Sequence, residues 1–316
     1  MTIETKIADV FIKFSGDLNE AFIERMTPYK EEIKSSDFIN VEYYVRDEIN
    51  LPETYALIKI DNDRTRYYNN QGYYCYSDYN KEIGKYMMTT AIKNNHVMIE
   101  TYNLKDEDEI NKINEALREY KKTLPNPKEQ LEAESVVYNP NCPLLNSTDQ
   151  ALRYVLISHG IFSIHSSAIS YNNSGIIFSA PSGTGKSTHT SLWKENFENV
   201  EIINDDMPLV SIKDDKIILH GAPWAGSTGI NKNISVPLKA IVFLEQAKEN
   251  SIEKLMTLPA LQRLLREFYV PHDRELIDKT YTFLNLLLTN IPCYVLKCLP
   301  DKDAVFTVKN QLFWKN

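Results

Sequence analysis

Residues 180–188 read Ala180-Pro181-Ser182-Gly183-Thr184-Gly185-Lys186-Ser187-Thr188. No other stretch narrows the possible folds as far. Upstream, "SGIIFSA" is rich in β-branched and aromatic residues and reads as a strand; downstream, "STHTSLWKENF" reads as a helix. A glycine turn between a strand and a helix aims successive backbone N–H groups at one point, where the helix dipole also favours negative charge. Side chains at Gly183 and Gly185 would block that close approach. The pattern [Ala/Gly]-x-x-x-x-Gly-Lys-[Ser/Thr] therefore predicts a nucleotide-phosphate cradle. Ser182, Gly183, Thr184, Gly185, Lys186, Ser187 and Thr188 are its expected contacts. Lys186 would reach the outer phosphates, and the Ser187 hydroxyl would ligate Mg²⁺.

Three further features point to the same place. Asn204-Asp205-Asp206 ends the strand "VEIIN", and Asp205 lies 19 positions beyond Lys186. One carboxylate of such a pair can support a metal, with Asp206 the expected ligand, and the other can take a proton from an acceptor hydroxyl. His165 lies in "IFSIHSSAIS", read as a strand pairing with the strand before the cradle, which allows a phosphate or metal contact. The loop "HGAPWAGSTG" at 220–229 holds three glycines, a proline and a tryptophan. Trp224, Gly226 and Thr228 are candidates for an acceptor pocket.

The two halves of the chain are patterned differently. Residues 1–140 read as a smaller α+β domain, a candidate docking or acceptor-binding module. "IADVFIKF" alternates as one half-buried strand, and 18–36 read as a helix that Pro28 should break or kink. "FINVEYYV", "TYALIKI", "RTRYYNN", "GYYCYSDY" and "HVMIETYN" read as strands, with "NNQG" at 69–72 as a hairpin turn. Tyr67, Tyr68, Tyr73, Tyr74, Tyr76 and Tyr79 crowd that turn. We read them as cross-strand packing rather than base-stacking platforms. Residues 105–123 read as a charged surface helix, and "LPNPKEQ" at 124–130 as the connection. From 141 to 316 strands and helices interleave as in an α/β domain. Ser147 and Gln150 suit a capping box, and helices are expected at 258–268, 273–289 and 302–312.

Composition excludes some classes of function. The net charge is −8 and the pI about 5.4, unlike a protein that binds a phosphate backbone. No run approaches the roughly 20 apolar residues of a membrane span. Met1 to Asp9 is polar and lacks a signal-peptide core, so a cytoplasmic protein without nucleic-acid or membrane partners is expected. Cys75, Cys142, Cys293 and Cys298 form no Cys-x-x-Cys pair and are read as free, buried thiols.

His165, "SAPSGTGKST", "NDD" and the Pro-Trp loop, in this order, resemble the HPr kinase/phosphorylase family over roughly residues 145–310. That family is related in fold to ATP-dependent phosphoenolpyruvate carboxykinase. The match is closer still to HPr-kinase-like proteins that accompany peptide natural-product clusters, among them lasso-peptide kinases. The resemblance implies an HPr-kinase-like P-loop domain with a mixed sheet. It also implies Mg²⁺-dependent transfer of the γ-phosphoryl group of ATP to a hydroxyl, and a homo-oligomer. Lys186 and Ser187 would handle phosphate and metal, Asp205 and Asp206 would serve as base and metal support, and His165 would sit beside the phosphates. Arg263, Arg266 and Arg274 are candidate phosphate clamps. One departure is plain: "HGAPWAGSTG" stands where the family has its glycine-rich signature. The rival expectation is a nucleotide-binding switch that modifies no partner. A carboxykinase is disfavoured, because no basic cluster for a carboxylate substrate is visible.

Overall fold

The computed structural model describes residues 1–51, 56–61, 64–68, 72–123, 142–226, 228–271 and 273–314, with 56–61, 64–68 and 142–143 as backbone. It divides into two compact units, Met1–Lys6 with Phe11–Leu152, and Ile7–Val10 with Arg153–Asn316. Each contains a mixed sheet, and the protein is of mixed α/β class. "LPNPKEQ", Asn69 to Gln71 of the expected turn, and the side chains of Tyr67, Tyr68 and Cys142 lie outside the described residues.

The first unit is built on eight strands in the order β1-β2-β3-β8-β7-β6-β5-β4. They are β1 (Thr2–Ile7), β2 (Val10–Gly16), β3 (Ile39–Arg46), β4 (Ala56–Asp61), β5 (Arg64–Tyr68), β6 (Tyr74–Asn80), β7 (Lys85–Lys93) and β8 (His96–Tyr102). "IADVFIKF" is not one strand: Ala8 and Asp9 both take positive φ and turn the chain between β1 and β2. The helix expected over 18–36 stops early. Helix α1 (Glu20–Met26) starts on an Asn19 cap and passes into a single tight turn at Thr27–Tyr29, where Pro28 cannot donate to an α-helical ladder. Helix α2 (Glu107–Lys122) is capped by Asp106, with acid in its first turn and lysines in its last. Tyr74 and Tyr76 are buried, and Tyr79 meets Tyr86 edge-to-face across the β6–β7 ladder.

Helix α3 (Cys142–Ser158) starts five residues before the expected capping box, so Ser147 and Gln150 sit inside it. Pro143, a good first-turn residue, explains the earlier start.

The second unit orders its sheet β12-β10-β11-β15-β14-β13-β9, with β17 beside β15 and β16 beside β17. Its strands are β9 (Ile161–Ser163), β10 (Ser167–Tyr171), β11 (Ser174–Ser179), β12 (Val200–Asn204), β13 (Leu209–Lys213), β14 (Lys216–His220), β15 (Ser235–Gln246), β16 (Ser251–Lys254) and β17 (Cys293–Cys298). Its helices are α4 (Lys186–Asn196), α5 (Thr257–Glu267), α6 (Arg274–Asn290) and α7 (Lys302–Phe313). Trp193 of α4 has no exposed surface and is ringed by Tyr171, Phe178 and Phe197. Its neighbours Val242, Leu296, Val305 and Val308 extend this core along β15, β17 and α7. Truncating such a side chain costs about 3–5 kcal/mol.

Strand directions position the site. β10 lies between β11 and β12 and is antiparallel to both. The start of β10 therefore meets the ends of β11 and β12 at one edge. β15 and β17 run parallel to β11, so their carboxyl ends reach the same edge. Crevices outside the carboxyl ends of such strands are where open α/β sheets bind ligands.

Candidate functional site

The cradle Ala180–Gly185 continues β11, and Lys186 opens α4. Gly183 and Gly185 have φ of 77° and 113°, a region open to glycine and strained for other residues. No atom lies within 4 Å of a Cβ built on Gly185, so the constraint there is purely of backbone conformation. The helix has no side-chain cap. Its first N–H groups are therefore available to an anion, and Ser182 and Gly183 are exposed at the mouth.

Lys186 folds back over the cradle. Its Nζ donates to the carbonyl oxygen of Ala180 at 2.8 Å and lies 3.3 Å from His165 Nε2. Burial pulls its pKa down, while the charges of Glu267 and Asp206 oppose that shift. The ammonium thus keeps two nearby carboxylates as counter-charges.

His165 is not in a strand. "IFSIHSSAIS" breaks into β9 and β10, and His165 sits in the bend between them. The reason is a change of partner: β9 pairs with β13, whereas β10 pairs with β11 and β12. Ser166 holds the bend, donating its N–H to the Asp206 carbonyl at 2.7 Å and its hydroxyl to the Ile164 carbonyl at 2.9 Å. The bend places His165 Nε2 3.4 Å from Asp206 Oδ1 and Nδ1 2.7 Å from Glu267 Oε2. Glu267 has no sequence signature. It is the last residue of α5, 102 positions from His165, and only the tertiary fold brings it in.

The two aspartates have different surroundings. Asp205 is 5% exposed, and both its oxygens are engaged. Oδ1 accepts from Gly226 N at 2.8 Å; Oδ2 accepts from Thr228 N at 3.1 Å and from the Thr228 hydroxyl. The Asp206 side chain is 38% exposed and faces His165. Asn204, fully buried, ties the pair to the loop. Its amide donates to the carbonyls of Ala222 and Trp224 at 3.0 and 2.8 Å, and its oxygen accepts from the N–H groups of Asp206 and Met207 at 2.9 and 2.7 Å. At Gly221 the approach is tightest, because a Cβ there would fall 1.7 Å from the Lys232 carbonyl oxygen.

The loop thus holds Trp224, Gly226 and Thr228 against the aspartates. Trp224 is 8% exposed, and its indole N–H has no partner within the described residues. His220, the first residue of the loop and the last of β14, is structural: its ring lies between the Ser211 and Ser235 hydroxyls, and burial lowers its pKa to about 4. His189, one turn into α4, accepts from Trp193 Nε1 at 3.2 Å, and burial lowers its pKa to about 3. Of the candidate phosphate clamps, Arg263 is paired with Glu245, while Arg266 and Arg274 are exposed.

A cavity of about 400 Å³ opens beside the cradle. Gly183, Thr184 and Gly185 line it on one side, Leu192 and His189 of α4 on another, and Leu244, Gln246 and Cys298 at the ends of β15 and β17. Cys298 is therefore half-exposed, unlike the buried Cys75 and Cys293. Among the described residues no three His, Cys, Asp or Glu side chains cluster as a metal site. No helix there is long and apolar enough to cross a membrane.

Comparison with known proteins gives two findings. The family model of the SynChlorMet cassette protein ScmC matches residues 144–300, just under half of the chain, spanning the cradle, the aspartate pair and the loop. Among solved structures, the Hpr(Ser) kinase/phosphatase from Coxiella burnetii matches with 9% identity, covering 47% of this chain and 95% of that one, at a TM-score of 0.29. At that score the likeness carries no argument. No curated protein matches in sequence.

Proposed function

We propose that the chain is an ATP-dependent phosphotransferase of HPr-kinase-like type with a hydroxyl acceptor. One observation carries the reading: Lys186 Nζ and Asp206 Oδ1 lie 3.3 and 3.4 Å from the same His165 nitrogen at the mouth of the glycine cradle. The backbone N–H groups of the cradle bind the phosphates, and Lys186 exchanges the Ala180 carbonyl for a phosphate oxygen. The cavity beside the cradle takes the nucleoside, since its apolar walls and its Gln246 amide suit a base and its size suits a small ligand.

The residues present fit Mg²⁺. Ser187 stands at the helix start, a single hydroxyl donor of the kind whose Mg²⁺ is completed by phosphate oxygens and water. Bound there, the ion would neutralise charge on the transferring group. Phosphoryl transfer depends mainly on positioning and charge neutralisation, so the acceptor proton needs only a modest base. Asp206 is the exposed carboxylate and serves as that base. Asp205 is fully engaged by Gly226 and Thr228, and it orders the loop against which the acceptor lies. The acceptor is a hydroxyl of a peptide, a protein or a small molecule.

Equilibrium titration with a fluorescent ATP analogue tests the first step. Wild type binds with Mg²⁺, and Lys186→Ala binds at least tenfold more weakly. Equal affinities would remove the cradle from the account.

A further inference from the structure

Glu267 holds His165 at two points. Its carbonyl accepts the His165 backbone N–H at 2.9 Å, and its carboxylate meets the ring at 2.7 Å. Phe268, the next residue, bridges to Ile164 and fixes the end of α5 against the bend. The Glu267 side chain is only 11% exposed, so little solvent competes for it. A carboxylate only accepts, so the Nδ1 beside it carries the proton. In that tautomer the Nε2 lone pair points at Lys186, 3.3 Å away, and Asp206 Oδ1 lies 3.4 Å from the same nitrogen.

We infer that Glu267 is a positioning residue: it fixes the tautomer and orientation of His165, and through the ring it holds Lys186 at the cradle mouth. This rests on the phosphotransferase reading. The groups facing His165 come from three segments besides its own: Glu267 from the end of α5, Lys186 from the start of α4, and Asp206 from the bend after β12. A ring freed from Glu267 can flip, and an Nε2–H would then confront the Lys186 ammonium. Loss of a charge-assisted hydrogen bond of this kind weakens a function by about tenfold or more.

The test uses the full chain with ¹⁵N-labelled histidine at about pH 8.5, where ordinary imidazoles are neutral. The His165 signals are identified by their loss in His165→Asn. Wild type should show the Nδ1–H tautomer, and Glu267→Ala a mixture with Nε2–H. Glu267→Gln, which keeps an acceptor oxygen at the same reach, should restore the wild-type pattern. An Nδ1–H tautomer unchanged in Glu267→Ala overturns the inference. If Glu267→Ala does not fold, Glu267→Asp, shorter by one methylene, takes its place under the same criterion. Turnover of Mg-ATP, read as ADP formation, gives the second arm. Glu267→Ala should lower kcat tenfold or more and change KM for ATP less than about threefold. The same change in a His165→Ala background should have no further effect, and an additional loss there contradicts action through the ring. The tautomer measurement needs no turnover, so it decides the inference even if the phosphotransferase reading fails.

Discussion

Asp205 and Asp206 are neighbours of the same type, and the structure predicts opposite consequences of removing them. Asp205→Ala deletes three hydrogen bonds to a buried carboxylate. Bonds to a charged group contribute about 1.5–3 kcal/mol each when buried. The Gly226 bond counts most, because that N–H is partly buried. Thr228 is exposed, so water replaces much of what its two bonds supply. The expected loss is about 3–4 kcal/mol. Asp206→Ala removes a side chain that is 38% exposed, and the expected change is about 0–1 kcal/mol. Urea unfolding followed by tryptophan fluorescence measures the difference selectively. Trp193, Trp224 and Trp314 all lie in the second unit, and Trp224 is in the loop itself. Comparable midpoint shifts for the two variants, or an Asp205→Ala shift below about 1 kcal/mol, would refute the division of roles.

Three other outcomes follow from the same geometry. Asn204→Asp keeps both accepted bonds but turns a charged oxygen toward the carbonyls of Ala222 and Trp224; it should destabilise by about 3 kcal/mol or more in the same urea assay. Gly185→Ala should cost about 1–2 kcal/mol through its φ of 113° and weaken binding of the ATP analogue at least tenfold, while circular dichroism stays unchanged. His189 and His220, lowered to about 3 and about 4, are protonated more readily in the unfolded chain. Stability is therefore complete above about pH 6.5 and falls with acid, for His220 down to about pH 4 and for His189 to about pH 3. While both titrate, the slope is about 2.7 kcal/mol per pH unit, and His220→Asn should reduce it by about half.

The strand–cradle–helix unit was legible because its chemistry is local. Glycines, lysine and serine must be adjacent in sequence to surround a phosphate. The helices near 257–267, 274–290 and 302–313 were legible from their apolar spacing, to within one residue at each end. Features that depend on distant partners were not. "IFSIHSSAIS" alternates like one strand, and only the change of pairing partner breaks it at His165. Strands β13 and β16 are short, and pairing with neighbours sustains them. Glu267 looks like any acidic residue at the end of an amphipathic helix. The contrast between Asp205 and Asp206 is invisible in "NDD", because it arises from a loop 20 residues on. Asn204, between strand and pair, reads as an ordinary strand end yet makes four hydrogen bonds.

The central claim is that this site moves a phosphoryl group to a hydroxyl. The direct measurement incubates the chain with γ-labelled ATP, Mg²⁺ and candidate acceptors, meaning a cell extract and the products of neighbouring genes, then identifies the labelled species. The account predicts a phosphorylated hydroxyl product with wild type and none with Asp206→Ala, although that variant still binds the ATP analogue. Nucleotide binding with no labelled product from any acceptor would contradict it and leave a nucleotide-dependent switch.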